Sequence, residues 1–432
     1  MALIQKAVIY AKLPFIFHRF VKSERLPREQ LKKHQEAQLR KLVGYAYHNV
    51  PYHNKLFKQT GINPSNIRTL EDLEKIPVTT KDDLRKLPVS EYTACNIPVN
   101  SRVINKTSGS TGQPFEVHRD IFAVVIFNIA IYSNYYTRGL QPSDRIISLG
   151  PNWLVRGHIL QKFGFLTTEG LSPVKTPEEL VTEMLRFKPS VIVAYPSWLE
   201  LVCKELVAKN IQYNGIRKVF AGGESVQSHT RKICKEALGV EPYESYGSSE
   251  LGLVGFECEE RAGLHVAEQC LIPEILHQGK DSRPGELGTF TSTHLYNYAM
   301  PLIRYNTGDI GTYVEGECLC GRTTARIKLF GGRESAILTL ANGRLIPGIT
   351  LIGDVHEVHG VKQFTIVQEK PDMFVLYLVP EKGFNEESVE EIKTRFRRKL
   401  GDVTVEVRRV EGIPLEKSGK FQAVISKVPV RV

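Results

Sequence analysis

A chain of 432 residues, 42% hydrophobic and 24% charged, is long enough for two or three domains and folds without needing disulfide staples. Its net charge of +10 suggests a polyanionic partner, but the Lys and Arg are dispersed, so a charged small molecule such as ATP or coenzyme A suits it and no nucleic-acid partner is expected. Seven cysteines, odd in number and unevenly spaced, exclude a secreted disulfide framework and point to the cytoplasm.

The opening stretch MALIQKAVIYAKLPFIFHRF is apolar but broken by Lys6, Lys12 and Pro14. It is too short to span a bilayer, and no small-residue cleavage site follows it. It reads as an amphipathic helix that caps the domain, without stable membrane insertion. Leu31, Leu39, Leu42 and Tyr45 then recur at helical spacing up to Pro51. Residues 101–107 read as a strand that enters a Ser/Thr/Gly stretch, and 121–139 as a largely buried helix. Three short apolar runs, 145–150, 190–196 and 218–224, end in turn residues. Helices follow the last two at 197–209 and 228–238. This rhythm predicts an α/β fold whose mainly parallel sheet is covered by helices. Ligands in such folds bind at the carboxyl ends of the strands. Between 263 and 311 the helical pattern gives way to successive strands, a β-rich subdomain. After the segment GGRES (331–335) a small α+β domain follows, with Val389, Ile392, Phe396 and Leu400 on one helix face. The expected organisation is a large domain, 1–332, and a small mobile C-terminal domain, 333–432.

Several motifs carry chemistry. Ser108, Gly109, Ser110, Thr111 and Gly112 would offer backbone N–H groups and hydroxyls to phosphate oxygens, although the Gly-Lys-Ser/Thr ending of the common nucleotide loop is absent. Gly222 and Gly223, in FAGGES, let a flat ring lie against the backbone. In YESYGSSELG, Tyr246 is placed to stack on a base, and Glu250 is a hard oxygen ligand suited to Mg²⁺. Asp309, after a Gly turn in RYNTGD, would accept from vicinal ribose hydroxyls. Lys420, after the flexible Ser-Gly of PLEKSGK, would neutralise charge on a reacting phosphate.

In this order, TSGSTG, GGES, YGSSE, RYNTGD, GRES and PLEKSGK resemble the motif set of the adenylate-forming (acyl-CoA synthetase) superfamily, in its phenylacetate–CoA ligase and capsule-type adenylyltransferase branch. The resemblance covers about residues 40–427. It implies that Ser108 to Gly112 hold the β- and γ-phosphates of ATP. Gly222, Gly223 and Glu224 would flank the adenine, with Tyr246 stacked on it and Gly247, Ser248 and Ser249 beside it. Glu250 would bind Mg²⁺, Asp309 and Arg333 the ribose, and Lys420 the α-phosphate. The small domain would swing about the GR pair, first to deliver Lys420 and then to open a channel for coenzyme A. A homodimer is compatible with the branch. Ser335 stands where the hinge commonly carries an acid or lysine, leaving Glu334 alone. That departure mildly favours a rival: an adenylyltransferase, deazaflavin-coenzyme or capsule-related, that forms no thioester. A non-catalytic nucleotide-binding protein is the remaining alternative.

Trp153, His158, Tyr135 and Tyr136 are candidates for the acid pocket. Independently of ATP, Cys258 and His265 in one turn region and Cys318 and Cys320 in another make a Cys₃His set suited to a closed structural Zn²⁺ site.

Overall fold

The computed structural model describes residues 2–107, 115–150, 166–171, 175–333, 337–413 and 423–428. In the central strands Arg145–Leu149, Val191–Ala194 and Lys218–Gly222, successive residues point to opposite faces. Ile147, Leu149, Ile192, Ala194, Val219 and Ala221 pack on one side with the helices Pro177–Phe187, Pro196–Ala208 and Ser228–Leu238. On the other side, Ile146, Val191, Val193 and Phe220 pack with Ile131 and Tyr135 of the helix Ile121–Thr137. Both faces are covered, which is why these strands are mostly apolar in sequence.

Thr167–Leu171, Arg145–Leu149, Val191–Ala194, Lys218–Gly222 and Tyr243–Ser248 lie side by side in parallel. Beyond Tyr243–Ser248 the pairing becomes antiparallel. Gly252–Glu257, Leu264–Val266, Arg326–Arg333, Tyr305–Tyr313, Gly288–His294, Leu271–His277 and Lys280–Asp281 extend the same sheet. The β-rich stretch is therefore the antiparallel half of one sheet, with Tyr243–Ser248 at the seam. A two-residue strand, Thr79–Thr80, pairs in parallel with Tyr305–Tyr313 and brings the short helix Lys81–Arg85 onto the seam.

The helix Ala2–Ser23 packs on Ile121–Thr137 through Phe20, Ile126, Ile129 and Ala130, so it caps the domain. Among the described residues no helix is long and apolar enough to cross a membrane. The next helix, Arg28–Asn49, buries Leu31, Leu39 and Leu42, while Tyr45 stays half-buried and donates to Asn96 Oδ1 at 2.6 Å. Pro51 both ends that helix and starts Pro51–Gln59, where its missing N–H costs nothing. The C-terminal region has a four-stranded sheet in the order Thr404–Arg409, Met373–Pro380, Val361–Lys370, Val424–Ser426. The helix Glu386–Leu400 buries Val389, Ile392, Phe396 and Leu400 on it. Its core is built from residues between Leu338 and Val424.

Candidate active site

The carboxyl ends of the parallel strands and the seam strand converge on one rim. Gly222 and Gly223 sit there, and their smallness is already used by the chain itself. A Cβ on Gly222 would stand 2.4 Å from Ser245 Oγ. On Gly223, whose φ is +82°, it would stand 2.2 Å from Cε1 of Tyr195. The flat ring that Gly223 admits is thus Tyr195, which also lies against Gly150. Glu224 accepts from Ser197 N at 3.0 Å and Ser197 Oγ at 3.1 Å. It caps the helix Pro196–Ala208, whose own N-cap residue supplies no side-chain bond.

Across the seam, the Tyr246 hydroxyl donates to Asp309 Oδ2. Burial, and then the Asp309 charge, hold that hydroxyl well above its ordinary range, so it stays a donor. Phe290 meets the Tyr246 ring edge-on at 5.9 Å. Asp309 follows Gly308, at φ +77°, and lies opposite Arg333 in the strand register. A Cβ on Gly247 would meet the Gly252 carbonyl at 2.5 Å. Ser248 Oγ accepts from Leu251 N at 3.0 Å, and the Ser249 carbonyl accepts from Arg119. These contacts fix the turn that presents Glu250. Its carboxylate is 9% exposed and is paired with Lys81 Nζ at 2.8 Å. Burial brings the Arg119 guanidinium down to about 10, opposed by the nearby Glu250 charge.

The structure brings together Tyr246, Asp309, Glu250 and the backbone of Arg333. Ser108, Gly109, Ser110, Thr111, Gly112, Trp153, His158, Glu334, Ser335 and Lys420 lie outside the described residues. Of the proposed acid-pocket tyrosines, Tyr135 is a core residue, stacked on Phe220 at 4.2 Å. Tyr136 is exposed and packs edge-on against Phe17 of the N-terminal helix. Adjacent helix positions point about 100° apart, so the two do not share a wall.

Behind this rim, Glu244 accepts from Val226 N at 3.2 Å, bracing the turn that carries Gly222, Gly223 and Glu224. Burial, and next the charge of Glu257, push the Glu244 carboxyl up from 4.5 to about 7. The folded protein therefore binds this proton more tightly than the unfolded chain does. The contribution is fully present below the ordinary carboxylate range and is lost as pH rises through about 7. At about 1.4 kcal/mol per unit, the swing is on the order of 3 kcal/mol. Glu244→Gln is expected to raise Tm at pH 8 by about 3 °C and to flatten its decline between pH 5 and 8, read by calorimetry.

A family model described as "AMP-binding enzyme" matches residues 9–288, and a second, "CapK C-terminal domain", matches 338–427. The chain belongs to the AMP-binding enzyme family. A phenylacetate-coenzyme A ligase of Thermus thermophilus is 31% identical over 336 residues, 75% of each chain. The Escherichia coli phenylacetate-coenzyme A ligase is 28% identical, over 74% of this chain and 75% of its own. Among solved structures, 2-hydroxyisobutyryl-CoA ligase with 2-HIB-AMP, in its postadenylation state, shares the fold. Its TM-score is 0.77, at 21% identity, over 94% of this chain and 91% of that one.

This AMP-binding enzyme carries a second cluster. Cys258 follows the strand Gly252–Glu257, His265 lies in the neighbouring Leu264–Val266, and Cys318 and Cys320 form the turn that leads into Arg326–Arg333, the next strand over. Three adjacent strands thus gather four residues whose ligating atoms all lie within 4.8 Å of one another. Cys258 Sγ and Cys318 Sγ are 3.6 Å apart, and Cys320 Sγ is 3.4 Å from His265 Nε2. A tetrahedron with metal–sulfur bonds of about 2.3 Å has edges of roughly 3.7 Å. His265 Nδ1 pairs with Thr324 Oγ1 at 3.1 Å, which leaves Nε2 turned to the sulfurs. Burial, reinforced by Arg322, Arg138 and Arg326, brings the imidazole down to about 3, so it is neutral, as a ligand must be. At Cys320, burial opposes the thiolate, but hydrogen bonds from the Arg322 backbone and guanidinium outweigh it and lower the thiol. The donor set fits a closed metal site.

Lys81, Arg119 and Tyr195 are absent from the motif reading. Nothing local pointed from Lys81 to Glu250, because Asp82 and Asp83 already supply the acids of the helix's first turn.

Proposed function

We propose that this chain is an ATP-dependent, AMP-forming ligase that activates an aromatic or arylacetic acid, of the phenylacetate kind, and transfers it to coenzyme A. The observation that carries the reading is the seam itself. Tyr246, hydrogen-bonded to Asp309, and Glu250 stand together at the carboxyl end of the sheet, in a chain whose curated relatives are ligases of that class.

The acid's carboxylate oxygen attacks the α-phosphorus of ATP, and the bond to pyrophosphate breaks. The coenzyme A thiolate then attacks the acyl carbon, and AMP leaves. Ser108, Gly109, Ser110, Thr111 and Gly112 would hold the β- and γ-phosphates. Gly222, Gly223, Glu224 and Tyr246 would frame the adenine, with Gly247, Ser248 and Ser249 shaping its edge. Asp309 and Arg333 would take the ribose. Glu250 supplies one carboxylate, which with phosphate oxygens makes a usual Mg²⁺ donor set, and the ion would neutralise phosphate charge. Lys420 would reach the α-phosphate from the domain 333–432, against the large domain 1–332. Cys258, His265, Cys318 and Cys320 would hold a structural Zn²⁺ with all four positions taken by protein.

Pyrophosphate release from Mg-ATP across a panel of aromatic and aliphatic acids, with and without coenzyme A, tests the reading. Release that requires an aryl acid, with a thioester formed only when coenzyme A is present, is expected. Acid-dependent release that leaves coenzyme A unconsumed would move the protein to the adenylyltransferase rival, for which Ser335 and the CapK-type C-terminal match speak.

A further inference from the structure

The helix Ala2–Ser23 presents two unlike faces. Leu13, Ile16, Phe17 and Phe20 pack toward the helix Ile121–Thr137. At about 100° per residue, Lys12, His18, Arg19 and Lys22 fall within about 60° of Phe15 on the outer side. All five are exposed, Phe15 at 65%. The Arg19 guanidinium lies 5.9 Å from the Phe15 ring. Positions 4, 8 and 11, which are Ile, Val and Ala in sequence, follow the line of position 15 within about 40°. The helix contains no acid. The first acid of the chain, Glu24, is 1% exposed and paired with Arg322. Arg25, exposed like the others, donates to the Cys320 carbonyl at 3.0 Å, and next to that cysteine Leu319 stands 91% exposed.

We infer that this outer face is a docking surface for an anionic lipid bilayer. An exposed Phe ringed by cations, on a helix without carboxylates, matches the headgroup region of such a bilayer. Lipid phosphates take the ammonium and guanidinium groups, while the ring and the aliphatic stems enter the acyl boundary. The inner face is already covered by protein, so the helix lies on the bilayer rather than crossing it. The net charge of +10 adds long-range attraction to the same surface. A second copy of the chain is a poorer occupant, because a symmetric contact would set the same cations against each other. Docking is reversible, since one ring and a few cations fall short of the two anchors that stable attachment takes. None of these residues belongs to the seam, so the inference does not depend on the proposed ligase activity.

The test is co-sedimentation of the full chain with vesicles of phosphatidylglycerol and phosphatidylcholine in about equal amounts, against vesicles of phosphatidylcholine alone. Binding is expected to be about tenfold tighter or more on the anionic vesicles, and to weaken in about 0.5 M salt. Lys12→Gln, Arg19→Gln and Lys22→Gln together remove three cations, each contributing about fivefold, and are expected to weaken binding roughly 100-fold. Phe15→Ser leaves every charge in place and is expected to weaken it about tenfold. Both variants should keep the wild-type Tm, which separates lost docking from lost folding. If Phe15→Ser melts early, Phe15→Gln takes its place. Equal binding to both kinds of vesicle would overturn the inference, as would undiminished binding in the triple variant. Undiminished binding in Phe15→Ser would also overturn it, by reducing the contact to charge attraction alone. A wild type that stays off both vesicles and dimerises through Phe15 would assign the face to a second copy instead.

Discussion

Lys420→Ala is expected to slow acid-dependent pyrophosphate release by about 10²–10³-fold, the usual loss when one donor to a developing charge is removed. ATP affinity should change by less than about threefold, because the proposed contact would be made mainly as the α-phosphorus becomes crowded with oxygens. The seam explains why one distant lysine carries so much. The cations nearest Glu250 are already engaged, Lys81 by the Glu250 carboxylate and Arg119 by the Ser249 carbonyl. The attacked phosphorus needs a charge from elsewhere. Single-turnover quench measurements separate the effects. Acyl-adenylate supplied directly to the variant should still pass to coenzyme A at near the wild-type rate. A variant that forms adenylate normally would remove Lys420 from the mechanism.

The second large effect is expected at the Cys₃His cluster. Purified without chelator, the wild type should carry about one zinc per chain, and Cys318→Ser less than about a tenth of that, by elemental analysis. Tm should fall by roughly 5 °C, since in a chain of this size each kcal/mol lost costs about 1 °C and the loss is about 3–5 kcal/mol. The damage should be directional. Glu24, fully buried, pairs with Arg322 at 2.7 Å and lies 3.8 Å from Arg138. Arg25 donates to the Cys320 carbonyl at 3.0 Å, and Thr323 N donates to the Glu24 carbonyl at 3.0 Å. The cysteine turn is therefore the seat on which the end of the helix Ala2–Ser23 is anchored. Metal loss should open the chain near residues 24–27 to protease before the rest of the fold. A metal-free wild type with an unchanged melting profile would defeat the proposal. Arg322→Met should give the same protease sensitivity with its zinc retained.

Local patterns were enough to reveal many of the parts. The three central parallel strands were legible because both of their faces are buried, so they read as short, mostly apolar runs. The C-terminal helix was legible because one face is, so Val389, Ile392, Phe396 and Leu400 recur at its period. The Cys₃His set was legible because few other arrangements use three cysteines and a histidine in two short turns. Tyr246, Glu250 and Asp309 stood out in short motifs whose order along the chain is characteristic.

Other features depend on pairings between segments far apart in the chain. Whether 263–311 forms its own sheet or continues the parallel one turns on the single antiparallel pairing of Gly252–Glu257 with Tyr243–Ser248. Lys81 reaches Glu250, 169 positions away, because two residues, Thr79 and Thr80, pair with Tyr305 and Asn306. The smallness of Gly222 and Gly223 is legible in sequence, but that Ser245 and Tyr195 lie against them is not. Periodicity and motif order are local properties of the chain, set by which face of an element is buried. Which cation meets which carboxylate is set by the register of strands that only packing brings side by side, and no spacing along the chain encodes it.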